Sequence, residues 1–222
     1  MNTTVYLIRH SVRFSNNEIQ SYRTNQNDFI KREKIVLSVA GEKRSEILSN
    51  ERELQDIDVV YTSNCVRTLQ TAKYLLEKQN LKVNIDDRFD EKRVGIANAD
   101  KVPDWFVRQY EDENYKTIGG ESQVEVRERM SEAFDEVVRL NQGKRIAIFS
   151  HGQAMTFFLL KWCKLDGVDI DHKLKMSFKG KLIFNKRINS PEVFKLTLNE
   201  KNEVENIELI EFDDLGYDDF DK

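Results

Sequence analysis

Residues 5–10 read Val-Tyr-Leu-Ile-Arg-His. Four residues fit for a buried strand run directly into a cation and an imidazole, and then into polar chain. The same figure returns twice. Asp58-Val59-Val60-Tyr61 reads as a strand entering Thr62-Ser63-Asn64, which are helix N-cap residue types. Ile146-Ala147-Ile148-Phe149 reads as a buried strand entering Ser150-His151-Gly152.

Helical patterns fill the intervals. A surface helix is predicted over 41–53, after Gly41. Cys65, Leu69, Ala72 and Leu76 recur at helical spacing. Ser122-x-x-Glu125 is a capping-box pattern opening a helix with Val126, Met130, Phe134 and Val137 on one face. An apolar helix follows Gly152 to about Trp162. Leu81–Ile85 reads as a further strand, and Val193–Leu198 and Val204–Phe212 as two more, joined by residues 199–202. Residues 98–118 hold Trp105, Phe106, Tyr110 and Tyr115 among charges and read as helical in part. Strands alternating with helices predict an α/β fold: a three-layer α/β/α sandwich with a mostly parallel central sheet. One domain over 1–222 is expected, ending in an acidic tail over 213–222.

The chain has 222 residues, ample for a sizeable core. Its net charge of -4 gives no support for general nucleic-acid or membrane binding. Cys65 and Cys163 lack metal-type spacing and fall in apolar helical patterns, so free buried thiols in a reducing compartment are expected. The N-terminus lacks the long apolar stretch of a signal peptide, and no run approaches the length of a membrane span. A cytoplasmic location is expected. There is no HExxH, no zinc-type cysteine pairing and no Walker-type glycine loop, so neither metal nor cofactor is expected.

In open α/β sheets ligands bind at the carboxyl ends of strands. Here those ends carry Arg9-His10, Thr62-Ser63 with Arg67 just beyond, and Ser150-His151-Gly152. Arginine offers a planar fork of donors that matches phosphate oxygens. A neutral imidazole is a nucleophile toward phosphorus. Phosphoryl transfer needs little more than positioning and charge stabilisation.

With these residues in place, the chain resembles the histidine phosphatase superfamily, which includes the cofactor-dependent phosphoglycerate mutases. Arg9-His10-Ser11 is similar to its Arg-His-Gly. Ser63-Asn64-Cys65-Val66-Arg67-Thr68-Leu69-Gln70-Thr71-Ala72 is similar to its Ser-x-x-x-Arg-x-x-Gln-Thr-Ala. Glu91 to Gly95, Gly119-Gly120-Glu121-Ser122 and Ser150-His151-Gly152 match three further elements, in order. The resemblance implies a phosphoglycerate mutase-like fold and a metal-independent phosphomonoesterase acting on a small phosphorylated metabolite through a phosphohistidine. It implies His10 as nucleophile, Glu91 as acid and then base, and Arg9, Arg67 and His151 as holders of the phosphoryl oxygens. Asn16 falls where the family often has a pocket asparagine. Residues 98–120 stand where the family carries a segment covering the pocket.

Physical requirements follow from those roles. His10 must be neutral, so its far nitrogen should donate to a backbone carbonyl, and neighbouring arginines should lower its pKa. Glu91 must hold a proton before transfer; Asp90 is the fallback for it. Ser11, Val12 and Arg13 depart from the usual signature. Arg13 either binds a second anionic group or points to solvent. Thr156 stands where an arginine is frequent. His172 is expected to be simply exposed. Two other functions remain: a mutase, against which the sequence Glu91-Lys92-Arg93-Val94-Gly95 argues, and a non-catalytic phosphate-binding module. Oligomeric state is not read.

Overall fold

Along β1 (Thr3–Arg9) successive side chains enter two different cores. Val5 and Leu7 pack on one face, Tyr6 and Ile8 on the other, and all four are buried. β4 (Arg145–Ser150) repeats this with Ile146 and Ile148 against Ala147 and Phe149. A strand covered on both faces has no polar side to show, hence the unbroken apolar runs in the sequence.

The structure is a computed structural model describing residues 2–14, 33–95 and 104–212. β2 (Val59–Thr62), β3 (Val83–Ile85), β8 (Glu192–Leu198) and β9 (Val204–Ile210) join β1 and β4 in one sheet, ordered β3-β2-β4-β1-β8-β9. The first four strands are parallel. The last two are antiparallel and close the β1 side. α1 (Val39–Asn50) and α2 (Val66–Gln79) cover one face through Leu48, Ala72 and Leu75. α4 (Gln123–Leu140) and α5 (Gly152–Leu159) cover the other through Val126, Met130, Phe134 and Phe157. The three layers and the mostly parallel sheet are as expected.

Element limits shift for local reasons. α1 starts before Gly41 because Ser38 Oγ accepts the Gly41 N–H, and it ends at Asn50, ahead of a 3₁₀ turn over Arg52–Leu54. α2 is capped by Cys65, not by residues 62–64. Thr62 stays in β2 and the Ser63 side chain turns inward. β3 keeps only three of the five residues expected. The capping box of Ser122 and Glu125 is present in both directions.

A second sheet escaped the sequence reading, which placed no element between Trp162 and Val193. β5 (Lys164–Val168), β6 (Leu174–Phe178) and β7 (Lys181–Lys186) form an antiparallel sheet of their own. The signal was there: Leu174, Met176 and Phe178 alternate with polar residues and are buried. Lys179 and Gly180 both have positive φ, the geometry of a tight two-residue hairpin turn. Among the described residues no helix is long and apolar enough to cross a membrane. The tail over 213–222 and position 16 lie outside the described residues.

Candidate active site

Register alone gathers the strand ends. Arg9 pairs with Ser150 and Thr62 with Phe149, so His10, Ser63 and His151 step off the sheet side by side. His10 N–H donates to Ser150 O and Ser63 N–H to Phe149 O, both at 3.0 Å, which extends the ladder into the loops. The rings of His10 and His151 meet edge to face with centroids 5.2 Å apart.

His10 Nδ1 lies 2.7 Å from Ser11 O. A carbonyl only accepts, so Nδ1 carries the proton and Nε2 carries the lone pair. Burial first, then the Arg67 and Arg9 guanidiniums, hold the His10 pKa well below the usual histidine range. The ring is therefore neutral and nucleophilic at Nε2. The loop bearing it is pinned by α2: Ser11 N–H donates to Thr71 Oγ1 at 3.0 Å, and Gln70 Oε1 accepts the Leu37 N–H at 2.7 Å. That is the work of the Gln-Thr-Ala segment.

Arg9 is fixed from the far side of the chain. Its Nη1 donates to Ile188 O and Asn189 O, in the loop between β7 and β8. Its Nε is buried and has no hydrogen-bond partner among the described residues, and the same holds for the Ser11 hydroxyl. Gly152 permits this packing, since a Cβ there would sit 3.0 Å from Arg9 Nε.

Arg67 projects from the first turn of α2 and places Nη2 2.8 Å from His151 Nδ1. His151 Nε2 lies 2.8 Å from Ser63 Oγ. His151 is the N-cap of α5 and is wholly buried. Ser150 Oγ donates to Phe89 O at 2.7 Å and so anchors the loop that carries Asp90 and Glu91.

Glu91 Oε1 accepts two backbone N–H groups, from Lys92 at 2.9 Å and from Ala154 at 3.0 Å. Ala154 is in the first turn of α5, so Glu91 supplies the cap that His151 does not, at the positive end of the helix dipole. Asp90 accepts the Asn64 N–H at 2.7 Å, and burial pushes its pKa up to about 6. Electrostatics thus keeps the fallback acid in contention.

Arg13 is exposed, bridged to Leu37, and within electrostatic reach of Arg9 and His10. α3 (Trp105–Glu111) lies within the segment expected to cover the pocket. Tyr110 is buried, donates to Thr156 Oγ1 at 2.7 Å, and packs on Phe157. A tyrosine–threonine pair thus fills the space at the expected arginine position. His172 is exposed as expected, yet its ring stacks on Phe106 of α3 at 4.0 Å. Residues 98–103 of the expected lid lie outside the described residues.

Both cysteines are free and buried, with thiol pKa values pushed up by burial to about 11 for Cys65 and about 12 for Cys163. Cys65, Asp90 and His151 offer ligand atoms within 4.8 Å of one another. Hydrogen bonds already occupy both His151 nitrogens, and the Arg67 guanidinium at Nδ1 repels a cation there. The arrangement therefore suits an anion better than a metal.

Comparison with known proteins bears on this site directly. Residues 5–177 match the family described as the histidine phosphatase superfamily (branch 1). The chain belongs to that superfamily. Phosphoserine phosphatase 1 of Hydrogenobacter thermophilus is 31% identical over 142 residues, 60% of this chain and 66% of that protein. A probable phosphoglycerate mutase GpmB of Yersinia enterocolitica is 28% identical over 127 residues, 54% and 59% of the two chains. The chain thus spans less than two thirds of the length of these curated relatives. Among solved structures, a mycobacterial glucosyl-3-phosphoglycerate phosphatase with inorganic phosphate superposes with a TM-score of 0.66 at 16% identity, covering 94% of this chain and 96% of that one. YhfR of Bacillus stearothermophilus gives 0.63 at 18%, covering 91% and 94%. These likenesses establish the histidine phosphatase fold.

Sequence reasoning missed the partners that hold the superfamily residues in place. Ile188 and Asn189 act through backbone carbonyls, which no side-chain pattern announces. Thr68 and Ser63 were visible as hydroxyls after a strand, but their link to His151 spans 88 residues of chain and only the fold reveals it.

Proposed function

We propose that this protein is a phosphomonoesterase that hydrolyses a small phosphorylated metabolite through a phosphohistidine at His10, without a metal. One observation carries the proposal: the His10 Nδ1–H bond to Ser11 O leaves the lone pair on Nε2, with the Arg67 and Arg9 guanidiniums within electrostatic reach of the ring. Nε2 attacks phosphorus and the bond to the leaving oxygen breaks. Glu91 gives its proton to that oxygen. Glu91, now ionised, takes a proton from water, whose oxygen attacks phosphorus as the N–P bond breaks and phosphate departs. Arg9, Arg67 and His151 hold the oxygens in both steps. Arg13 stands at the rim to meet any second anionic group.

The names of the relatives point to phosphate esters that also bear a carboxylate, such as phosphoserine. A panel containing phosphoserine, 3-phosphoglycerate and uncharged phosphate esters, read by phosphate release, tests the substrate class. Release of nitrophenol from p-nitrophenyl phosphate should survive a chelator and disappear in His10→Ala. Loss with chelator alone would remove the metal-free claim. Saturable phosphate binding without turnover would favour the non-catalytic module suggested by Ser11, Val12 and Arg13.

A further inference from the structure

His151 has no N–H to spare. Arginine has only donors, so Arg67 Nη2 must donate to His151 Nδ1, and Nδ1 is bare. The opposite end of the chain of contacts requires the same assignment. The Thr68 hydroxyl lies 2.7 Å from Cys65 O and 3.3 Å from Ser63 O, both acceptors, so its proton is committed to a carbonyl. In the 2.8 Å contact between Thr68 and Ser63 the donor is therefore Ser63. Ser63 can then only accept from His151, and Nε2 carries the proton. Two independent ends of the network fix one tautomer.

We infer that His151 holds the phosphoryl group as an imidazolium, so that one proton enters the site with the anion, and that Ser63 and Thr68 are the positioning residues that impose this. The inference rests on the phosphoryl-site reading above. Neutral His151, as the network fixes it, offers an oxyanion only a lone pair. A second proton at Nδ1 turns that nitrogen into a donor while Nε2–H stays on Ser63. The Arg67 N–H released from Nδ1 turns to a phosphoryl oxygen. The proton comes with a phosphate monoanion or from solvent, and no other bond changes.

The groups around His151 explain why the proton waits for the anion. Arg67 faces it from α2, His10 and Arg9 from the end of β1, and Arg129 from α4. Cys65 and Asp90 lie on its remaining side. Burial first, then Arg67 and the other groups facing the ring, hold its pKa well below the usual range. A phosphate dianion reverses the sign of that field.

The test uses the full chain labelled with ¹⁵N-histidine; the protein has only three histidines. Free protein should show His151 with Nε2 protonated and Nδ1 bare. Saturating inorganic phosphate should protonate both nitrogens, while His10 keeps a single proton at Nδ1. A His151 ring that stays neutral with phosphate bound, in either tautomer, overturns the inference and leaves the phosphatase reading standing. Absence of phosphate binding sinks both. Thr68→Val frees the Ser63 hydroxyl to turn toward Nε2. Above the second ionisation of phosphate, wild-type affinity should fall up to tenfold per pH unit as the proton becomes scarce. Thr68→Val should flatten that slope, and an unchanged slope takes the positioning role away from Thr68.

Discussion

At the scale of the residue, the two carboxylates Glu91 and Asp90 differ in what they hold. Glu91 sits on the first turn of α5, whereas Asp90 ties down the loop before α2. Glu91→Gln should cut kcat for poor alkyl leaving groups by about 10²-fold or more and barely affect nitrophenyl phosphate, because a good leaving group needs little protonation. Asp90→Asn should affect both substrates alike. The reverse pattern in parallel assays would make Asp90 the acid. Arg13→Ala should raise KM for esters with a second anionic group and leave singly charged esters nearly untouched. An equal change for all substrates would assign Arg13 to solvent.

At the scale of the element, the nucleophile loop depends on how closely α1 approaches it. A Cβ at Gly41 would lie 2.0 Å from Val12 O, which also accepts the Ser38 N–H. Gly41→Ala must push helix and loop apart, so it should cost on the order of 1–3 kcal/mol in denaturant unfolding and lower kcat/KM with it. Ser38→Gly, which loses the cap and the hydroxyl's 3.2 Å bond to Val12 O but introduces no clash, should cost about 1 kcal/mol and serves as the comparison. The parallel core was legible from sequence because strands buried on both faces leave continuous apolar runs. His10, Ser63 and His151 could be singled out because they stand immediately after those runs, whereas Arg67 and Glu91 were singled out by their place in the family motifs. The β5–β7 hairpins were passed over because the edge strands mix charged, polar and exposed apolar residues, such as Lys164, Asp166, Lys181, Leu182 and Asn185, and leave Leu174, Met176 and Phe178 as the clear alternation. The Ser63 and Thr68 contacts were hidden for another reason: they join residues that the sheet, not the chain, makes neighbours.

At the scale of the whole molecule, folding removes two neutral imidazoles from water. His10 and His151 have pKa values far below the unfolded value of about 6.5, with burial the leading cause for both. A depressed histidine pKa contributes stability that is present above the unfolded pKa and lost as pH falls below it. Two such groups give a slope approaching ~2.7 kcal/mol per pH unit once pH is well under about 6. Asp90, raised to about 6 when folded against about 3.9 unfolded, works the other way and softens the loss between those values. Unfolding free energies measured from pH 8 to 5 should therefore fall steeply below 6.5. His151→Asn should roughly halve the slope; an unchanged slope would mean that other groups set it. The arginine beside the nucleophile has a consequence of its own. Its posture is set by two carbonyls at 188 and 189, while the superfamily match ends at 177. A fragment trimmed to the recognisable portion would retain every side chain named in the chemistry and lose the splint on Arg9. The stretch that no signature identifies is thus where mutation or grafting could retune the enzyme without altering a single reacting group.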